Sequence, residues 1–498
     1  MLPLTASFVS RSVTLLAVAA LALIVVTAAC RTHSALAVIA VSPGVNVTSG
    51  CEDESLHALW RQAHGEPVYF DSSQPPYSAA YFNWLFYRSY GVVTPASPAP
   101  GDTPSLIRNA RLLTLSGALC GALALGWFSL RLVSAQPLGL RLAAFALATW
   151  VFLGPLTGWW IVTTRPDVWA LALECGGLIL ILNLWRRSPV AAVVLAAICF
   201  YGAWAFKQNF VQGLGCALLF LAFQRQWKSA SLLLAFSLFG WSATAFALGP
   251  DYRTALLSTA TSSGFSLATG WENFLSAVLR SSPLILAAAC LPFQSAPPGE
   301  SPLVRDSVRL ACIALPLSLA FSFATSCKLG AASNYYLSST LFLALLALVS
   351  VSRPSRPVLG SLPLLALIAL SFGLIANNKL QLRPSVLALT ADRWKLWQPA
   401  PSPRYAHDQL LNLPWLNPGA PVYLTSFNYA DDRAAGRPFA HDGIGGLIRS
   451  GYFASLLLPD DITNTYDHAS LVGYERSGSV AGMTLWTRLD SPSSPFIP

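Results

Sequence analysis

The sequence predicts an all-α polytopic membrane protein with about eleven transmembrane helices, a long first external loop and a small C-terminal α+β external domain. Three observations predict this class. Of the 498 residues, 54% are hydrophobic and only 11% are charged, whereas an ordinary soluble domain carries about 25% charged residues. Apolar runs approaching the roughly 20 residues that cross a bilayer recur along the chain. Basic residues are concentrated in every second loop between those runs.

The apolar runs set the predicted helices and the domain boundaries. We expect a transmembrane domain at 1–376, which includes an external loop at 31–105, and an external domain at 377–498. Several runs are short or joined by tight turns, so the predicted number of helices is eleven, give or take about one. The runs are Val13–Cys30, Leu112–Leu132, Leu138–Trp160, Val168–Trp185, Val190–Phe206, Val211–Phe223, Leu232–Leu248, Ser276–Phe293, Leu310–Ser326, Tyr335–Val351 and Val358–Ile375.

The first run has two interpretations. A cleavable signal peptide also has a basic residue before an apolar stretch. Here Arg11 precedes a long apolar run, and no clean small-x-small site is followed by a soluble domain, which favours an uncleaved anchor. The segment Thr27–Cys30 only faintly resembles a lipoprotein box, because Thr27 stands where an aliphatic residue is usual.

The cysteines and the net charge argue against two other classes. The nine cysteines are an odd number, most lie inside apolar runs and no CxxC pair exists. They therefore predict neither a disulfide framework nor a thiolate metal site. The net charge of +9 does not indicate nucleic-acid binding, because the basic residues lie between spans, where membrane orientation and lipid headgroups explain them.

The distribution of Lys and Arg predicts the orientation. With the N-terminus in the cytoplasm, every inside turn contains at least two basic residues: Arg131 and Arg141, Arg186 and Arg187, Arg225 and Lys228, Arg305 and Arg309, Arg353 and Arg356. The short outside turns contain one each: Arg165, Lys207 and Lys328. The positive-inside rule favours this arrangement, which places the long first loop, the loop 249–280 and the C-terminal domain outside.

The external segments have patterns typical of folded structure. Glu52–Gly65 predicts a short amphipathic helix, and Tyr81–Tyr90 predicts an aromatic helix that lies at the membrane interface. In the C-terminal domain, Pro421–Thr425 and Met483–Leu489 predict strands, with connections rich in Pro and Gly.

The segment Cys51–Arg88 carries the most chemistry. Three consecutive acids open its predicted helix, and such a run is costly at a membrane boundary unless it is solvated or paired. Asp53 and His57 are four residues apart and share a helical face, whereas Glu54 points about 100° away, so only one or two acids can face a common cavity. A solvated helix start is the alternative, since acids near an N-terminus favour the macrodipole.

The same segment resembles the first external loop of GT-C superfamily glycosyltransferases. The acidic pair is followed by a short helix, then Gly65, Val68-Tyr69, Asp71 and Pro75-Pro76-Tyr77. The resemblance is closest to the bacterial group related to protein mannosyltransferases and lipid A aminoarabinose transferases, which take a sugar from a polyprenyl-phosphate carrier. It implies a multi-pass protein of the bacterial inner membrane, in which Asp53 activates the acceptor and Glu54 is the neighbouring acid.

Two further segments fit that family pattern. Thr164-Arg165-Pro166-Asp167 stands in the second outside turn, where these enzymes often carry Arg-Pro-Asp. Cys327–Gly330 followed by Ser333–Tyr336, which includes Asn334 and Tyr335, opens a later span with a similar Lys/Gly and Asn-Tyr pattern. The resemblance covers the whole topology, but the matching residues are limited to these short pieces, and the basic and acidic residues of the family's later loops are not identifiable.

Sugar transfer from a lipid phosphate needs a base for the acceptor hydroxyl and cations for the departing phosphate. Arg165, Lys207 and Lys328 stand alone at outer ends of spans, at headgroup depth, where they would suit a phosphodiester; snorkelling anchors are the alternative. Asp167 would orient Arg165, serve as a second acid or cap a helix. His57 would tune Asp53 through a hydrogen bond or form ordinary polar surface.

The sequence contains few signals for a cofactor or a metal. His64, His407, His441 and His468 show no metal-ligand spacing, so no metal is firmly implied, although a divalent metal is compatible with distant GT-C enzymes. Asp251 and Glu272 are candidates for acceptor or metal contact by location only. Turn formation explains the segment Asp431–Gly443 better than catalysis does.

Three functions compete. The first is an inverting glycosyltransferase whose partners are membrane lipids, a polyprenyl-phosphate sugar and a glycan, lipid or protein acceptor. The second is a transporter or lipid flippase, which should show mid-membrane acids, broken helices or an inverted repeat. Glu174 is the only acid predicted within a span, and the charges gather at the outer boundary, which favours interfacial catalysis. The third, a polysaccharide polymerase or ligase, usually has its large loop late in the chain.

Overall fold

The computed structural model describes residues 3–41, 52–93, 103–261, 264–294, 296–353, 384–417, 419–426, 429–434, 436–460, 471–480 and 482–489. Within these ranges the first 353 residues are almost entirely helical. The helices are α1 Pro3–Val41, α2 Glu52–Ala63, α3 Trp84–Val93, α4 Thr103–Leu132, α5 Leu138–Leu153, α6 Asp167–Leu184, α7 Pro189–Phe206, α8 Gln212–Phe223, α9 Trp227–Ala247, α10 Gly249–Thr261, α11 Leu267–Arg280, α12 Ser282–Ala289, α13 Pro302–Ser326 and α14 Leu337–Ser352.

The long apolar helices confirm a helical membrane protein. Seven helices of the described part are long and apolar enough to cross a bilayer, and α11 with α12 makes an eighth if the bent pair is one span. These seven are the spans at 11–39, 105–132, 167–184, 189–206, 227–247, 302–326 and 333–352. The predicted count of about eleven is not confirmed, and the run Val358–Ile375 lies outside the described residues.

Three predicted spans are shorter or more broken than their apolar runs. The run Leu138–Trp160 is helical only to Leu153, because Gly154-Pro155 interrupts it before a 3₁₀ turn at Gly158–Val162. The run Val211–Phe223 forms α8, which has only 12 residues. The run Ser276–Phe293 begins in α11 and bends by 69° at Ser281 into α12. Hydrophobicity therefore identified helices here, but not continuous spans.

The first helix is longer than its apolar run. It continues beyond Cys30 to Val41, so the first eleven positions of the predicted loop 31–105 are helical. Arg31 ended the predicted span, yet it is only 1% exposed. Arg31 and Ser34 lower the local hydropathy and so predict a loop, but the structure buries both side chains.

Close helix packing gives the bundle its core. Gly117 on α4 faces Trp169 of α6, and Gly121 faces Phe152 of α5, so that a methyl group at either glycine would overlap an aromatic ring. The absence of a side chain lets the helices approach closely, as small residues do in membrane helix interfaces.

One end of the bundle is held by arginine pairs. Asp306 accepts hydrogen bonds from Nε and Nη2 of Arg186, at 2.7 and 2.8 Å. The Glu300 carboxylate binds the Arg353 guanidinium in a second pair, with Nη2 at 3.0 Å from Oε2. Arg131 donates to Asn183 at 2.9 Å. Turns predicted on one face thus meet at one end of the bundle, which we name the arginine end.

A mixed sheet forms the centre of the C-terminal domain. After α15 (Pro384–Trp397), strands β1 (Arg404–Ala406), β2 (Ser455–Pro459), β3 (Tyr474–Val480) and β4 (Met483–Arg488) pair in the order β1-β2-β4-β3. β1 is parallel to β2, and the other pairs are antiparallel. Two short helices, α16 (Tyr429–Ala434) and α17 (Gly443–Arg449), precede β2. The predicted strand Met483–Leu489 is confirmed as β4, with its end at Arg488.

The predicted strand Pro421–Thr425 is wrong, because this segment has no strand partner in the described sheet. It instead holds the first loop: the backbone N–H of Leu424 donates to Pro76 O at 2.8 Å, and that of Ser426 donates to Tyr77 O at 3.0 Å. Tyr77 is completely buried in an aromatic cluster of the C-terminal domain, and its hydroxyl donates to Ala440 O at 2.7 Å. The loop around Tyr77 and the C-terminal domain therefore form one packed unit.

Candidate functional site

The first acid of α2 is fixed by a buried ion pair. Glu52, which is 1% exposed, accepts from Nε and Nη2 of Arg111 on α4, at 3.1 and 3.2 Å. Its Oε1 also accepts the backbone N–H of Thr164 at 3.0 Å. Arg111 in turn donates to Ala35 O on α1 at 2.7 Å. One carboxylate thus joins α2 to α1, to α4 and to the turn before α6.

The Glu52–Arg111 pair is a part of the candidate site that the sequence does not predict. The family resemblance points to Asp53 and Glu54, and it gives Arg111 no role. A weak signal existed, because Arg111 is a charged residue directly before the apolar run of α4. Charges at such positions need a partner when they are buried.

Asp167 is the centre of a second buried ionic cluster. Its Oδ1 accepts from Lys207 Nζ and from Asn334 Nδ2, each at 2.6 Å, and its Oδ2 accepts from Arg165 Nε at 3.3 Å. Asp167 is completely buried, and the side chains of Arg165 and Lys207 are 10% and 8% exposed. The structure therefore brings four predicted site residues together at the start of α6.

Aromatic rings enclose this cluster. The guanidinium carbon of Arg165 lies 4.2 Å from the ring centroid of Trp160 and 5.3 Å from that of Phe82. Lys207 Nζ lies 5.7 Å from the Phe82 ring and 5.5 Å from the Tyr335 ring. Cations that face aromatic rings are stabilised by the ring quadrupole. The predicted residue Tyr335 thus contacts the cluster through its ring.

Asp53 lies on α2 between the two buried acids and is itself half-buried. Burial raises the pKa of its carboxyl to about 6. Backbone N–H groups at the start of the helix lower the pKa, and the negative charges of Asp408 and Glu52 raise it further. Asp408 belongs to the C-terminal domain, which also contacts α2 through a cluster of Leu56, Leu410 and Leu424. A carboxylate with a pKa near 6 suits general-base chemistry near neutral pH.

The predicted hydrogen bond between His57 and Asp53 needs correction. Among the described residues, His57 hydrogen-bonds Ser78, with Nδ1 at 3.0 Å from the hydroxyl oxygen, and not Asp53. Burial lowers the pKa of His57 to about 3, so the ring is neutral and helps to hold the loop around Ser78. Glu54 is 2% exposed, and its predicted place as the acid next to Asp53 stays a prediction.

Lys328 occupies a turn beside the cluster, between α13 and the 3₁₀ turn Ser333–Tyr336. Its backbone forms an isolated bridge with Phe265, and Asn273 Nδ2 donates to Ser326 O and Ala331 O on either side of it, both at 3.1 Å. The turn therefore presents Lys328 and Asn334 from one compact segment. We name the end of the bundle that carries α2, Asp167 and this turn the α2 end.

Metal binding has limited geometric support. Within the described ranges, no group of three or more His, Cys, Asp or Glu side chains is arranged to hold a metal ion.

Fold and site together define a helical membrane protein with a polar, ion-paired site at one end of its bundle and a small sheet domain packed beside it. No family model matches the chain, and no curated protein matches it at a significant level. The resemblance to GT-C enzymes therefore stays a prediction.

Proposed function

We propose that the protein is an inverting glycosyltransferase that moves a sugar from a polyprenyl-phosphate carrier to an acceptor hydroxyl. The observation that carries the proposal is Asp53, a half-buried carboxylate with a pKa near 6 on a helix that Glu52 fixes beside the Asp167 cluster. The proposal includes about eleven spans, a bacterial inner-membrane location and an external site.

The chemistry assigns a step to each group. The acceptor O–H proton passes to an Asp53 carboxylate oxygen while the acceptor oxygen attacks the anomeric carbon. The bond between that carbon and the phosphate oxygen breaks, and the electron pair leaves with the lipid phosphate. Attack opposite the leaving group inverts the anomeric configuration. Cations at the α2 end stabilise the growing phosphate charge, with Arg165, Lys207 and Lys328 as the sequence-based candidates.

The proposed activity is tested with purified full-length protein in detergent. The protein is incubated with polyprenyl-phosphate sugars and a crude acceptor lipid fraction, and release of free polyprenyl phosphate is followed by chromatography. We expect release with at least one common sugar, and inverted configuration in the product by NMR. Absence of release with every common hexosyl and pentosyl donor would contradict the proposal.

A specific observation favours transport as a second candidate. Glu174 is buried within α6, and its Oε1 accepts the backbone N–H of Gly213 at 2.6 Å, at the beginning of the short helix α8. Its Oε2 accepts from Ser338 at 2.6 Å. Acids at helix breaks line substrate paths in transporters. A transporter would lose flux in proteoliposomes on Glu174→Gln substitution, whereas the transferase proposal expects Glu174→Gln to retain lipid-phosphate release.

A further inference from the structure

Arg31 is a buried cation of α1, and two of its donor atoms have no partner within the described ranges. It is 1% exposed, and its Nε and Nη1 atoms have no hydrogen-bond partner among the described residues. Arg31 follows Arg11 by 20 residues, which corresponds to about 30 Å along a helix and therefore to one bilayer core. With Arg11 at one boundary, Arg31 lies at headgroup depth at the other.

A second arginine lies close to Arg31. Arg280, the last residue of α11, is near enough for its positive charge to act on Arg31. The position of Arg280 is fixed from two sides: Trp150 of α5 donates from its indole N–H to Arg280 O at 3.3 Å, and Arg280 Nη1 donates to Ser333 Oγ at 3.3 Å. Ser333 directly precedes Asn334, which binds Asp167. The arginine pair therefore adjoins the α2 end.

The pair differs from the other buried cations near the site. Arg111 is neutralised by Glu52, and Arg165 and Lys207 share Asp167. Neither Arg31 nor Arg280 forms a salt bridge within the described part of the chain. Two neighbouring like charges, one of them buried with N–H groups that have no partner in the described part of the chain, are costly unless an anion neutralises them.

We propose that Arg31 and Arg280 bind the phosphate group of a lipid at the α2 end. Guanidinium N–H groups match phosphate oxygens in geometry and charge, and two arginines match a dianion better than a monoanion. The identification of this lipid as the sugar carrier rests on the proposed function. On that basis the subsite favours the departing monophosphate, whose charge exceeds that of the diester. This assigns phosphate binding to two arginines that no acid in the described ranges neutralises.

Binding of polyprenyl phosphate to the full-length protein tests the subsite without any sugar. Affinity is measured by quenching of tryptophan fluorescence in detergent, with polyprenol of the same length and inorganic phosphate as the other probes. We expect Arg31→Gln and Arg280→Gln each to lower the affinity for polyprenyl phosphate at least about tenfold. Arg31→Lys should retain part of that affinity. Arg187→Gln, an exposed arginine at the opposite end, is the matched control and should bind normally.

The outcomes distinguish a lipid phosphate from inorganic phosphate, and they test the arginine subsite separately from the transferase proposal. Binding of polyprenyl phosphate but not of polyprenol supports a lipid phosphate, whereas equally tight binding of inorganic phosphate, lost in Arg31→Gln, would overturn the lipid assignment. Parental affinity in both glutamine variants, with unchanged melting temperatures, would overturn the subsite. Arginine-dependent lipid binding without transfer of any sugar would uphold the subsite and refute the transferase.

Discussion

The Glu52 carboxylate binds the Arg111 guanidinium through two hydrogen bonds although 59 positions separate the residues in the sequence. The pair is almost completely buried, and it fixes the helix that carries Asp53. Because α2 has only 12 residues, it depends on such tertiary contacts for its position.

Removal of one partner of this pair should destabilise the protein strongly. Glu52→Gln leaves the Arg111 charge buried without its counter-ion, and such a change costs roughly 3–5 kcal/mol. We expect a lower melting temperature in detergent, measured by thermal unfolding. The double variant Glu52→Gln/Arg111→Gln should recover part of the loss, because the buried positive charge of Arg111 is then removed as well. A loss of stability in the double variant equal to the sum of the losses in the two single variants would show that the residues are not coupled.

The rate of lipid-phosphate release should depend on pH through Asp53. The base acts only when it is deprotonated, and burial raises its pKa to about 6. We therefore expect the rate to fall about tenfold per pH unit below 6 and to be flat from pH 7 to 8, in a buffer series at saturating donor. A profile that is flat down to pH 4.5 would mean that no group with this pKa controls the reaction.

Asp408 of the C-terminal domain should shift the midpoint of that pH profile. Its negative charge raises the pKa of Asp53, so Asp408→Asn should lower the pKa and move the midpoint to lower pH. The plateau rate should be retained, since Asp408 does not take the proton. Asp392→Asn, an exposed acid on α15, serves as the control. A midpoint that does not move in Asp408→Asn would contradict the coupling of the two carboxylates.

The sequence predicted the parts of this structure that depend on local pattern. Hydropathy located the long helices, and the acidic start and apolar face of Glu52–Ala63 identified α2. The resemblance selected Arg165, Asp167 and Asn334, which the structure places in one cluster. Each of these predictions rests on neighbouring residues in the chain.

Long-range pairing was not predictable in the same way. Nothing local distinguishes Glu52 from Asp53, and only the fold shows which acid meets Arg111. The charge of Arg31 lowers hydropathy and so predicts the start of a loop, although α1 continues through Arg31 to Val41. The segment Pro421–Thr425 has a strand-like pattern, but it extends along the first loop and not within the sheet.

The rate of polyprenyl-phosphate release by Asp53→Asn tests the central claim most directly. Asn keeps the size of the side chain but cannot accept the acceptor's proton. We expect a loss of at least about 100-fold, with a melting temperature and a lipid-phosphate affinity close to those of the parent. Asp392→Asn, assayed in parallel, should release lipid at the parental rate. Release by Asp53→Asn at the parental rate would contradict the assignment of Asp53 as the base.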